Sequence, residues 1–272
     1  MTTWLAVTRF AHISACLLLF GLVFFDRFLA PAAAAPKVRA YWQLCDSVIR
    51  WILLPVILIS GIGWFALTAK MMSGQPLDTS VLKVVWGQTE FGHLWKIRIL
   101  FWGAALVLSF FQRPKAESRE FAAWVMALAA GCMAASLAWT GHGREISRWH
   151  LAADVLHLLG AGIWPMGLLP LLLLLRKARR IAGPEDWPAL AALVNRFSTI
   201  SLAVVSLMII TGTVNAWFLV GSFSNLVSKP YGHWLLAKLG LFCAALAVAA
   251  VNWLRLRPCL AAEQAQPARA MA

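Results

Sequence analysis

Residues 139–170 read WTGHGREISRWHLAADVLHLLGAGIWPMGLLP. The stretch holds three histidines, His142, His150 and His157, and from His150 onward a single acid, Asp154, set in an apolar run. On a helix His150, Asp154 and His157 fall at i, i+4 and i+7 and share one face. If that helix crosses a membrane, neither an acid nor a histidine can cheaply face lipid. Such groups turn toward protein or a water-filled cavity and mark functional sites by default.

Composition supplies the membrane. The chain is 61% hydrophobic and 13% charged, with mean hydropathy +0.74. A soluble domain carries about 25% charged residues. The expected fold is therefore all-α: a polytopic transmembrane bundle forming a single domain over residues 1–258, followed by an Ala-rich polar tail, 259–272, expected to be disordered and cytoplasmic. The net charge of +13 reads as topology-setting Lys and Arg beside the bilayer rather than as a nucleic-acid footprint. The five cysteines show no CxxC and no paired spacing, which argues against a disulfide framework.

Seven apolar segments reach spanning length, about 20 residues each: 4–29, 48–68, 93–111, 121–140, 150–175, 197–220 and 234–254. The first also admits a signal-peptide reading, with small residues at 32–35 for cleavage, although Arg9, His12, Asp26 and Arg27 sit badly in one. The larger share of the 24 basic residues falls in the links after segments one, three and five and in the tail, among them Lys37, Arg39, Arg113, Lys115, Arg179 and Arg180. The positive-inside rule then puts the N-terminus outside and the C-terminus in the cytoplasm. This orientation gathers all six histidines, His12, His93, His142, His150, His157 and His233, into the outer half.

The sequence also carries a weak internal repeat. Phe91-Gly92-His93 with Arg98 matches Tyr231-Gly232-His233 with Lys238, His12 answers His157, and Ser60-Gly61 answers Thr211-Gly212. Segments one to three thus look duplicated as five to seven, a pattern common in transporters. Many tryptophans, including Trp4, Trp42, Trp95, Trp139, Trp149 and Trp234, read as interfacial anchors. Asn215 and Asn252 read as interhelical hydrogen-bonding groups.

Imidazole, thioether and thiolate donors suit soft or borderline metals, Cu(I) among them. His12 and Cys16 stand at i, i+4; Cys132 and Met133 lie in segment four; Met71 and Met72 end segment two; Met166 follows the histidine face. Asp154 admits three roles: orienting His150 or His157, ligating a cation, or pairing with Arg148. A second assignment makes His12 and His157 the two axial ligands of a b-type haem in a redox protein, and a third makes the chain a structural partner that transports nothing.

Several motifs carry a resemblance. Asp154-Val155-Leu156-His157 with Trp164 and Gly167, Arg196-Phe197-Ser198 with Thr211-Gly212 and Trp217, Tyr231-Gly232 with Lys238, Asn252 with Leu254-Arg255-Leu256, and Arg9-Phe10-Ala11-His12 with Phe20-Gly21 together resemble the CopD copper-resistance family of bacterial inner-membrane proteins. The resemblance implies a multi-pass protein of copper homeostasis, moving copper from periplasm to cytoplasm beside a periplasmic CopC-type copper-binding partner, with no enzymatic activity and no catalytic residue. The expected metal-handling residues are His12, His93, His142, His150, Asp154, His157, Met166 and His233. Two features depart from the family's pattern. Its members continue into an eighth helix, before which this sequence stops, and Pro165-Met166 stand where a pair of glycines is usual.

Overall fold

The computed structural model describes residues 2–30, 36–110, 116–140 and 147–251. His142, Asn252 and the tail at 259–272 lie outside these. The described residues form helices and turns without strands, and seven helical stretches are long and apolar enough to span a membrane.

The first span, α1 (Thr2–Phe28), is the centre of the bundle and packs against α2 (Pro36–Ser73), α5 (Ala116–Ala135) and α6 (Arg148–Ile163). Its Leu19, Leu22 and Phe25 are among the most deeply buried side chains. Close approach to α6 rests on paired glycines: a Cβ on Gly21 would collide with Gly162 O, and one on Gly162 with the Phe20 ring. Membrane helices associate without hydrophobic driving force, so small residues that let backbones meet matter disproportionately.

Four of the expected spans differ from the observed helices. The segment expected at 150–175 breaks at Trp164–Gly167 into α6 and α7 (Leu168–Ile181). Pro165 has no N–H to give and its ring clashes with the preceding turn. The ladder shifts there, with Met166 N–H reaching Ala161 O at 3.3 Å before Leu168 N–H resumes at Trp164 O, 3.2 Å. The segment expected at 121–140 ends in a 3₁₀ turn, Ser136–Thr140. The segments expected at 48–68 and 197–220 extend well beyond lipid-spanning length, as α2 and as α8 (Trp187–Val220). Pro36 and Pro188, near their N-terminal ends, are pre-set for a first helical turn.

Two short helices precede spans, and they are built alike. α3 (Thr79–Gln88) is capped by Asp78, whose carboxylate accepts from Val81 N–H at 2.8 Å; Thr89 then turns extended and α4 (Glu90–Phe110) begins. α9 (Phe223–Ser228) is capped by Ser222, which accepts from Asn225 N–H at 3.2 Å; Lys229 turns extended and α10 (Pro230–Val251) begins. Gly92 and Gly232 sit where a Cβ would strike carbonyls of the short helix just before, Val85 O and Leu226 O respectively.

The end of the bundle opposite the histidines is tied by polar contacts. Trp42 Nε1 donates to Asp26 at 2.8 Å, Arg27 pairs with Glu120 at 2.9 Å and stacks on Trp124, Arg50 pairs with Asp46, and Lys177 lies over the Tyr41 ring. Trp42 is thus a buried core residue and not the interfacial anchor its position suggests.

Two outcomes follow. Gly21→Val forces α1 from α6 and costs about 2 kcal/mol of overpacking, lowering the melting temperature in detergent by ~5 °C, whereas Gly103→Ala, with nothing within 4 Å of its Cβ, leaves it unchanged. At the α3 cap, the Val81 N–H and then the Ser80 hydroxyl hold the Asp78 carboxyl below the usual carboxylate range. Its contribution is present above the ordinary carboxylate pKa and is lost as pH falls through the lowered one. Hydrogen exchange at Val81, corrected for intrinsic rate, should accelerate in acid.

Candidate metal-handling site

His12 lies on the face of α1 that meets α2 and α4. Its Nδ1 is 3.0 Å from Ile57 O. A carbonyl can only accept, so the proton resides on Nδ1 and Nε2 carries the free lone pair. That lone pair faces Cys16 Sγ at 3.6 Å, one turn along the same helix. The ring is walled by Trp64 and Trp95, with centroids at 5.4 and 5.1 Å, and a Cβ on Gly61 would press on it at 3.1 Å.

Beside it stands a group the sequence did not single out as part of a site. Arg98, seen in the sequence only as the counterpart of Lys238, is 2% exposed. Its guanidinium sits 5.3 Å from the Trp64 ring and 5.0 Å from the Trp95 ring, a cation–π clamp. Nε donates to Ser136 Oγ and Nη2 to Ser136 O, both at 2.9 Å, while Nη1 has no partner among the described residues. The 3₁₀ turn that closes segment four is what presents Ser136 O to Arg98. Trp95 is buried here and is no more a surface anchor than Trp42, whereas Trp4, Trp149 and Trp234 remain exposed. A cavity of about 110 Å³ opens among these groups, lined by His12, Gly61, Trp95, Arg98 and Met133 with apolar neighbours. The signal for Arg98 was a cation three residues after Trp95 within an apolar run.

His157 occupies the corresponding place on α6. Its Nδ1 is 3.1 Å from Thr211 Oγ1. The hydroxyl's own hydrogen goes to Leu207 O at 2.8 Å, so Nδ1–H donates and Nε2 again carries the lone pair. Gly212 leaves room for the ring, a Cβ there meeting it at 3.2 Å. Asp154 accepts from Asn215 Nδ2 at 3.4 Å, which fits the interhelical role read for Asn215.

The remaining expected residues are dispersed. His150 is buried and stacked on Phe218 at 5.1 Å, its Nδ1 without a partner among the described residues. His93 is exposed at the start of α4. His233 is exposed and donates Nε2–H to Val227 O at 2.7 Å. Met166 lies in the α6–α7 turn beside Gly21. Among the described residues no three or more His, Cys, Asp or Glu stand close enough to hold one ion.

The chain matches two family models: "Copper resistance protein D-like, N-terminal domain" over residues 1–145 and "Copper resistance protein D" over residues 191–272. It is 32% identical over 264 residues to copper resistance protein D of Pseudomonas syringae pv. tomato, covering 92% of this chain and 81% of that one. It is 35% identical over 122 residues to the copper transport protein CutJ of Bacillus subtilis (strain 168), covering 44% of this chain and 22% of that one. It is 26% identical over 258 residues to the inner membrane protein YebZ of Escherichia coli (strain K12), covering 92% and 83%. No solved structure matches. With seven helices of membrane length among the described residues, the chain is a multi-pass protein of the bacterial inner membrane.

Removing the Ser136 hydroxyl tests how much the buried guanidinium depends on it. Ser136→Ala leaves Arg98 Nε unanswered and should cost about 1–3 kcal/mol, read as a lowered melting temperature of the purified protein in detergent.

Proposed function

Because the chain belongs to the copper resistance protein D family, we propose that it takes up copper at the periplasmic face of the inner membrane and passes it toward the cytoplasm. The observation that carries this reading is the pair His12 and His157, set in an apolar bundle and each tied through Nδ1 with Nε2 left as a donor. Neutral imidazole with a free Nε2 is the form that binds metal.

In this reading the N-terminus faces the periplasm and the C-terminus the cytoplasm, as the basic residues favour. His93, His142, His150 and His233 meet copper at the periplasmic face. His12, Asp154 and His157 receive it deeper, with Met166 below them, as Cu(I), the oxidation state that imidazole and thioether donors favour. A periplasmic CopC-type copper-binding protein fits as the donor. The chain acts as a carrier; no residue has a catalytic role.

The path runs between two halves that arose by duplication. Supporting this are the matched units α2–α3–α4 and α8–α9–α10, each with a capped short helix, an extended link and a glycine at the start of the next span. His12 on Gly61 and His157 on Gly212 repeat the same contact. Transporter sites commonly lie at such repeat interfaces.

A single b-type haem held by His12 and His157 fits less well. His12 is enclosed by α2 and α4 and His157 abuts α8, so the two rings engage different neighbours. The cavity at His12 is about 110 Å³, small beside the ~300–1,000 Å³ of most cofactor sites.

The reading is tested by the copper content of cells grown in copper and of the detergent-purified protein, both by plasma mass spectrometry. An Asp154→Ala, His157→Ala double variant should return cellular copper and copper sensitivity to the level of cells lacking the protein. Unchanged cellular copper in that variant would count against transport, and near-stoichiometric iron in the purified protein would point to haem instead.

A further inference from the structure

We propose that Cys16 and Met133 complete a three-donor Cu(I) site with His12, sealed inside the N-terminal half of the bundle. The inference rests on the copper reading and assigns it a specific ligand set that includes two residues outside the histidine–carboxylate path.

The geometry has three parts. His12 Nε2 and Cys16 Sγ face each other at 3.6 Å. Metal–nitrogen and metal–sulfur bonds of about 2.0 and 2.3 Å span such an edge with an angle of ~115° at the metal, which is trigonal and leaves room for a third ligand. Met133 supplies it: its side chain is 1% exposed and lines the same cavity as His12. One imidazole, one thiolate and one thioether form a soft donor set that favours Cu(I) over harder ions.

The surroundings add a charge argument. Cys16 is fully buried, and Arg98 lies in the cavity wall with Nη1 unpartnered. When Cu(I) binds, the Cys16 thiol proton leaves to solvent and the thiolate sulfur takes its place on the metal. Thiolate and Cu(I) together are neutral, so the Arg98 cation meets no added charge. A divalent ion in the same place would leave a net positive charge facing a buried guanidinium, where repulsion is poorly screened. Arg98 thus acts against Zn(II) and Cu(II) and tolerates Cu(I).

A purely structural account also exists, in which the Cys16 S–H only satisfies the buried Nε2. The two accounts separate on Cys16→Ser, which keeps a hydrogen-bond donor and nearly the same volume but removes the sulfur. Met133→Leu likewise conserves volume while removing the thioether. The experiment is anaerobic Cu(I) titration of the full-length protein in detergent against a chromophoric Cu(I) chelator, with X-ray absorption of the copper-loaded protein.

The wild type should bind one Cu(I) with sulfur in its first coordination sphere. Cys16→Ser should weaken binding by on the order of 100-fold or more, beyond the effect of losing an outer-shell partner, and should lose the short copper–sulfur signal. Met133→Leu should weaken it by about tenfold, and Cys243→Ser, an exposed thiol, should change nothing. Wild-type affinity and sulfur signal retained in Cys16→Ser would overturn the site and leave the copper reading standing. A wild type that binds no Cu(I) would also overturn the site. The copper reading would fall with it if, in addition, cells lacking the protein hold the same copper as wild-type cells.

Discussion

A guanidinium buried in an apolar bundle has few ways to exist, and Arg98 uses most of them. It sits between the faces of Trp64 and Trp95 and spends two of its nitrogens on Ser136. In lipid no water can answer the charge, so protein must. That demand explains features otherwise unrelated. Segment four ends in a 3₁₀ turn because this turn brings Ser136 O and Oγ together toward one cation. Trp64 and Trp95, which elsewhere would sit at the interface, are drawn inward as its walls. His12 is held by the same wall, so the electrostatics of Arg98 and the orientation of the imidazole are fixed by one cluster of side chains.

The same accounting extends along α1. Helix–helix contact in a membrane is won by close packing and by hydrogen bonds, not by release of water. α1 supplies Gly21 to α6, His12 to the cavity with Cys16 beside it, and Asp26 to Trp42 of α2. Its His12, Cys16 and Asp26 therefore each find a partner inside the bundle. A segment whose acid, base and histidine each find a specific partner behaves as a structural axis, and this is why α1 sits at the centre.

The architecture was largely legible in the sequence, because apolar length and charge spacing are one-dimensional signals. Seven spans follow from runs of about 20 apolar residues, and the role of Asn215 followed from a lone amide in such a run. What escaped was decided by partners distant in sequence. Arg98 lies five residues into a span, where an outer-face charge and a buried one look alike; only Ser136, 38 residues on, distinguishes them. Trp42 and Trp95 sit near helix ends as anchors do, but Asp26 and Arg98 claim them. The break in segment five could have been read from Pro165, had its missing N–H been weighed against the unbroken apolarity around it. The histidines at the helix starts share one half of the protein without sharing one centre: His93 and His233 stay exposed while His150 lies under Phe218. Sequence gives the half; it does not give the direction in which each ring points.

The units α2–α3–α4 and α8–α9–α10 are built alike locally but differ in how they hold their cation. In the first, the cation Arg98 is fully enclosed and its span α4 is clamped by Trp95 and Trp102, the latter donating to Leu54 O at 2.9 Å. In the second, the corresponding Lys238 is exposed, and α10 meets the rest of the bundle through little more than Phe242 on Trp164 and the close turn at Gly232. Arginine keeps its charge and its fork of donors when buried; lysine is a mobile point charge on a flexible stem. The two units therefore hold their cations differently, one enclosed and one exposed. In the proposed copper route, the enclosed one, with Cys16 beside His12 and a fixed cation, suits tight holding of a monovalent ion. The exposed one, with Asp154, His157 and a movable ammonium, suits exchange. In that proposed route, an ion that must be both recognised and released needs binding that is firm at one place and weak at another, and two unlike units would provide both within a single chain.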